Sequence, residues 1–176
     1  MIKNEGGYHE KGNNNNSFSI FILFSGCGGS GSVRMEEYMG KKADCTVSVI
    51  DERAEKRLII EYDGTFDAFE LFPPLQESLS YQICQSQAIK KYAENNKDFK
   101  VIIKDVNAIR IPYGYESELT IVLIGHIQEG NKKGGIRFAV TKDTKEVTVS
   151  LIRDLVHQTI IDFTSKIENY VKQSSQ

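Results

Sequence analysis

The chain has 176 residues, of which 40% are hydrophobic and 26% charged, and its formal net charge is -2. This is ordinary globular usage, and the length is enough for one core that needs no metal or disulfide framework. The charge balance, without a basic tract, argues against a partner held through a nucleic-acid backbone. Cys27, Cys45 and Cys84 are an odd set without CxxC spacing, so they cannot make a complete disulfide framework.

Residues 1–16 are polar and include Gly12 followed by Asn13, Asn14, Asn15 and Asn16, a composition that buries little apolar surface. Residues 17–24 (SFSIFILF) are the continuous apolar run of the chain. The run is too short for a spanning helix and suits either a signal-peptide core or a buried strand. Next come Ser25, Gly26, Cys27, Gly28, Gly29, Ser30, Gly31 and Ser32, a small-residue stretch with the composition of a flexible linker.

Beyond it, residues 45–50 (CTVSVI) and 57–62 (RLIIEY) read as short strands, the second closed by the Asp63-Gly64 turn pair. Pro73-Pro74 then stops any helix upstream, and residues 75–95 place Leu79, Ile83, Ile89 and Ala93 on one helical face. Residues 99–111 are strand-like, and Pro112-Tyr113-Gly114 is expected to break them before a second long strand over 118–128. Residues 129–135 (EGNKKGG) read as a hairpin connection into a strand over 136–141, with 146–149 as a further short strand. From Ser150 onward, Ile152, Leu155, Val156, Ile160, Phe163, Ile167 and Val171 recur at mostly three- and four-residue steps, which predicts an amphipathic helix. Its opposite face is mixed in charge rather than basic, so packing on a sheet is favoured over a membrane surface.

The glycine-rich segment admits three readings. Leu23-Phe24-Ser25-Gly26-Cys27 resembles a bacterial lipobox, in which small residues precede a cysteine that is diacylated before the signal peptide is cut in front of it. Phe24 and the asparagine-rich region upstream depart from that pattern, and the start codon is open to question. The second reading takes Gly26, Gly28 and Gly31 as the GxGxxG turn of a nucleotide-binding enzyme of Rossmann or ThiF-like type, with Asp51 on the ribose 51 - 31 = 20 residues later. The short stretch 33–42, interrupted by Gly40, makes a poor crossover helix for it. The third is a plain linker. The lipoprotein reading is preferred, dividing the chain into a signal peptide over 1–26, a flexible tether over 27–44 and one domain over 45–176.

Of the remaining chemistry-bearing residues, Asp51 and Arg53 share a strand face and are expected to pair at the surface, and Tyr113 and Tyr115 flank Gly114 in a turn where they can serve as contacts. His126 falls among apolar residues and reads as a structural or edge histidine, while Cys45 and Cys84 read as small buried residues that could pair in an oxidising periplasm. No catalytic motif, metal-ligand spacing or cofactor signature is present, so the expectation is a protein that is not an enzyme and carries neither cofactor nor metal.

From Cys45 onward the order of elements, with the segment Val49-Ile50-Asp51-Glu52-Arg53, resembles the YajG family of bacterial lipoproteins, and the likeness spans about three quarters of the chain. The LptE-like and transport-auxiliary lipoproteins are similar in architecture. That resemblance implies an α+β fold, a mainly antiparallel twisted sheet with two helices on one face. It implies a lipid-anchored, non-enzymatic protein of the outer membrane, facing the periplasm, that binds or scaffolds another envelope protein or a lipid, with a role in lipid or lipopolysaccharide handling.

Overall fold

The computed structural model describes residues 30–39, 45 and 47–174. In chain order these form β1 (Ser30–Arg34), a short 3-10 turn (Glu36–Tyr38), β2 (Ser48–Asp51), β3 (Leu58–Tyr62), β4 (Thr65–Phe72), α1 (Leu75–Ile83), α2 (Gln87–Asn95), β5 (Phe99–Tyr113), β6 (Glu116–Glu129), β7 (Lys132–Thr144) and α3 (Val149–Ser174). The strands make one seven-stranded sheet in the order β1-β4-β3-β5-β6-β7, with β2 lying along the first part of β5. The longest ladders, β5 with β6 and β6 with β7, are antiparallel, as is β3 with β4, whereas β1 pairs parallel with β4 and both β2 and β3 pair parallel with β5. The class is therefore α+β, with a mainly antiparallel sheet.

One face of the sheet is closed by the helices. All seven apolar positions of the α3 stripe, from Ile152 to Val171, are buried, as are Leu79 and Ile83 of α1 and Ile89 and Ala93 of α2. Opposite them the inward residues of β6, Leu119, Ile121 and Leu123, alternate with outward ones such as Thr120, which shares a hydroxyl hydrogen bond with Thr141 of β7. The alternation in β5 changes phase at a bulge between Ile103 and Asp105. Phe99, Val101 and Ile103 face the core before it and Val106 and Ala108 after it, as one extra residue in a strand requires.

Several boundaries differ from the sequence expectation. The single helix over 75–95 is two, because the chain leaves the helix at Cys84 and Ser86 caps a new one, its hydroxyl accepting from the Ile89 amide at 3.3 Å. Pro112 does not end β5: it stays paired opposite Ser117, in a stretch past the end of β3 where one side of the strand has no neighbour and a missing N–H is tolerated. The 129–135 connection contracts to a turn at Gly130 and Asn131, with Lys132 already in β7. Residues 146–148 are not a strand but lead into α3. β4 carries TFDAFELF and escaped the periodicity reading, since aromatic and acidic residues interrupt its apolar alternation.

Of the expected tether over 27–44, residues 30–39 are not a tether. β1 is a sheet strand with Val33 fully buried, and Met35 behind it is 1% exposed. Paired on only one side by β4, this strand is set by contacts with a partner far along the chain, which the serine and glycine composition hides.

Candidate functional site

Cys27, Gly26 and Gly28 lie outside the described residues. Gly31 does not stand in a turn: it sits in β1 opposite Phe69, whose ring carbons lie 3.1 Å from where a Cβ would be. Behind β1 comes a three-residue 3-10 turn rather than a helix, and β2 pairs with β5 while β1 pairs with β4. A phosphate-binding turn needs glycines at a helix N-terminus beside the strand that carries the ribose acid, so the nucleotide-binding reading of Gly26, Gly28, Gly31 and Asp51 is not supported.

Asp51 is also fully engaged. Arg53 donates from Nε to Oδ1 at 3.0 Å and from Nη2 to Oδ2 at 2.7 Å, and its backbone N–H donates to Oδ1 at 3.1 Å. Lys56 adds Nζ to the Asp51 carbonyl at 2.7 Å. Burial alone would push the Asp51 carboxyl up, but these hydrogen bonds and the guanidinium charge outweigh it and hold it below the ordinary carboxylate value. The expected pairing is present, with one difference: side-chain exposures of 3% for Arg53 and 7% for Asp51 make it a buried pair rather than a surface one. Glu52 points the other way and pairs with Lys104 at the β5 bulge.

Cys45 and Cys84 are joined by a disulfide, Cα to Cα 5.6 Å, across 39 residues of chain. The bond ties the segment entering β2 to the end of α1. Beside it opens a groove of about 390 Å³ whose lining includes Met39, Cys45, Val47, Ser80, Tyr81 and Cys84. Gln76 closes one wall by donating from Nε2 to the Val49 carbonyl at 2.8 Å. The groove falls in the roughly 300–1,000 Å³ range of small-ligand sites, and its lining mixes apolar with a few polar groups.

A second cluster fastens the N-terminal segment to α3. The Tyr38 ring stacks on His157 with centroids 3.8 Å apart, its hydroxyl donates to the Asp154 carboxylate, and Arg153 reaches Glu37 at 2.9 Å. That hydrogen bond holds the Asp154 carboxyl below its usual value, and burial pushes the His157 imidazole down, so the stacked ring is favoured in its neutral form. The sequence reading missed this cluster, because its members lie more than a hundred positions apart and share no local pattern.

On the sheet face away from the helices, His126 stands opposite Ile102 and Gly135. Among the described residues no group of histidine, cysteine and acidic side chains is placed to hold a metal ion. Tyr113 and Tyr115 do flank Gly114 in the β5–β6 turn, with exposures of 44% and 100%. A hydrogen bond with Asp143 pushes the Tyr113 phenol up to about 12.

No family model matches the sequence, and comparison with curated proteins finds no match. Among solved structures the chain is similar to a Xanthomonas campestris protein of the DUF330 family. The identity is 14%, the likeness covers 77% of this chain and 90% of that one, and the TM-score is 0.44. It is also similar to the rare lipoprotein B of Shewanella oneidensis at 8% identity, over 74% of this chain and 98% of that one, with a TM-score of 0.46.

Proposed function

We propose that this chain is a bacterial envelope lipoprotein: exported, acylated on Cys27, held at the outer membrane on its periplasmic side, and acting by binding or scaffolding rather than by catalysis. One observation carries the reading. Of three cysteines, Cys45 and Cys84 are joined to each other, which leaves Cys27 as the odd thiol, and it is the one that ends the Leu23-Phe24-Ser25-Gly26-Cys27 motif. A structural disulfide suits an oxidising compartment such as the periplasm, the compartment an exported lipoprotein enters. Gly28, rather than aspartate, after Cys27 is compatible with sorting to the outer membrane.

The partner-binding part of the proposal draws on the groove beside the disulfide and on the sheet face the helices leave uncovered. Both suit another envelope component or a lipid, and the proposed role is in lipid or lipopolysaccharide handling.

Intact mass of the protein from the membrane fraction tests the reading, because it reports cleavage before Cys27 and acylation together. The expected result is a loss of residues 1–26 and a gain of acyl mass, with radiolabelled fatty acid entering the wild type and not Cys27→Ser. Equal labelling of the two proteins would refute it.

A further inference from the structure

Five large side chains stand exposed at one end of the sheet: Phe66 at 56%, Ile109 at 42%, Ile111 at 52%, Tyr113 at 44% and Tyr115 at 100%. The pairing register puts four of them on the helix-free face. Phe66 is level with Glu61 and Glu61 with Ile109, while Ile111 and Tyr113 follow at two-residue steps past the end of β3. Tyr115 caps the two-residue turn, whose first position is Gly114 at φ 57°, a geometry that a hairpin of this length assigns to glycine. An exposed cluster of this kind marks a contact surface, and tyrosine, with an apolar ring and a polar tip, suits the boundary between lipid and water.

The first described strand begins nearer this end than the other. Ser30 is level with Ala68, Ala68 with Ile59 and Ile59 with Asn107. Because β1 runs parallel to β4, Ser30 is the β1 residue nearest the Asp63-Gly64 turn, which lies on the same side of the sheet as the tyrosine turn. Cys27 precedes Ser30 by 30 - 27 = 3 residues, at most about 11 Å of chain. Tyr113 lies 113 - 107 = 6 residues beyond Asn107, about 20 Å along β5. Phe99, beside the Gly130 turn, lies 107 - 99 = 8 residues the other way, about 26 Å, so the tyrosine turn is the nearer of the two ends to Ser30, and a tilt of the sheet brings it to a membrane that holds Cys27.

Resting on the reading of Cys27 as the anchor, we propose that this end of the sheet lies against the headgroup layer of the same membrane, with Tyr113 and Tyr115 at the interface and Phe66, Ile109 and Ile111 along its apolar edge. The lipid is zwitterionic. Glu61, Asp63, Glu116, Glu118, Asp143 and Glu146 stand at this end against Arg110, Lys142 and Lys145, so the balance is acidic and an anionic surface repels it.

The chain contains no tryptophan, so one introduced indole reports its own surroundings. The full-length protein, with acylation established by intact mass, is reconstituted on vesicles of phosphatidylethanolamine and phosphatidylcholine carrying brominated acyl chains, as Tyr115→Trp and as Lys132→Trp at the opposite end. The expected result is a blue-shifted Tyr115→Trp emission quenched several-fold more than that of Lys132→Trp. Phosphatidylglycerol should weaken the quenching and added salt restore it. Equal quenching at the two positions in acylated protein overturns this proposal alone, whereas an unacylated mass overturns the anchor reading with it. A blue shift that grows with protein concentration in the absence of lipid also overturns it, in favour of a second copy as the occupant.

Discussion

Arg53 shows how much burial changes the meaning of a local motif. Asp51-Glu52-Arg53 and Glu55-Lys56-Arg57 both set an acid and an arginine two residues apart, and both close forked ion pairs at 2.7 Å. Only the first is sealed from water: Arg57 and Glu55 are 48% and 46% exposed. Removing one partner of a buried pair strands the other charge, so Arg53→Ala should cost about 3–5 kcal/mol in urea unfolding, while Arg57→Ala should leave the midpoint essentially unchanged. The folded Asp51 carboxyl lies below its ordinary value, so its contribution is complete above the unfolded value and fades as pH falls through the folded one. Wild type should thus lose stability on acidification below about pH 4, and an Asp51→Asn, Arg53→Met double variant should lose less over the same window, by urea midpoints at a series of pH values. The pairing itself was legible, because residues two apart in an extended chain point the same way, although β2 ends at Asp51. Its burial was not, because it depends on which elements close over β2.

Among the elements, α3 and the sheet meet closely at Gly125 of β6. A Cβ there would lie 2.6 Å from the Ile102 carbonyl oxygen and 2.8 Å from Phe163 Cζ, a side chain that is itself fully buried. Gly125→Ala must therefore push the helix off the strand or bend β6 away from β5. The expected cost is about 1–3 kcal/mol, measured as a lower midpoint in chemical unfolding, with an unchanged midpoint as the outcome that would sink the argument. The α3 stripe and the long strand β6 were legible because periods of 3.6 and 2 are written residue by residue. The break between α1 and α2 was harder to see: the apolar positions continue across it, and only Ser86, a good capping residue, marks the restart. The β5 bulge left a similar trace, a shift of the inward positions from odd to even numbers after Lys104.

For the molecule as a whole, the Cys45–Cys84 bond links the entry of β2 to the helical layer and closes a loop of 39 residues' separation. Loop entropy puts its contribution at about 4 kcal/mol, so a Cys45→Ala, Cys84→Ala double variant should unfold at clearly lower urea, and reduced wild type should move toward it. Midpoints that coincide with and without the bond would show that the core holds this region unaided. The sequence by itself determined the buried stripe of α3, the long strand β6, the tyrosine turn and the lipobox-like setting of Cys27, because each is encoded within a few consecutive residues, and the fold class followed from the order of the elements. Only the tertiary structure decided that β1 belongs to the sheet, that Asp51 is locked by a buried arginine, that Cys45 meets Cys84, and that the exposed aromatic end is the one nearer the start of β1. Those facts come from pairing and burial between segments tens of residues apart, where cross-strand neighbours and the layer above, not local composition, fix what each residue touches.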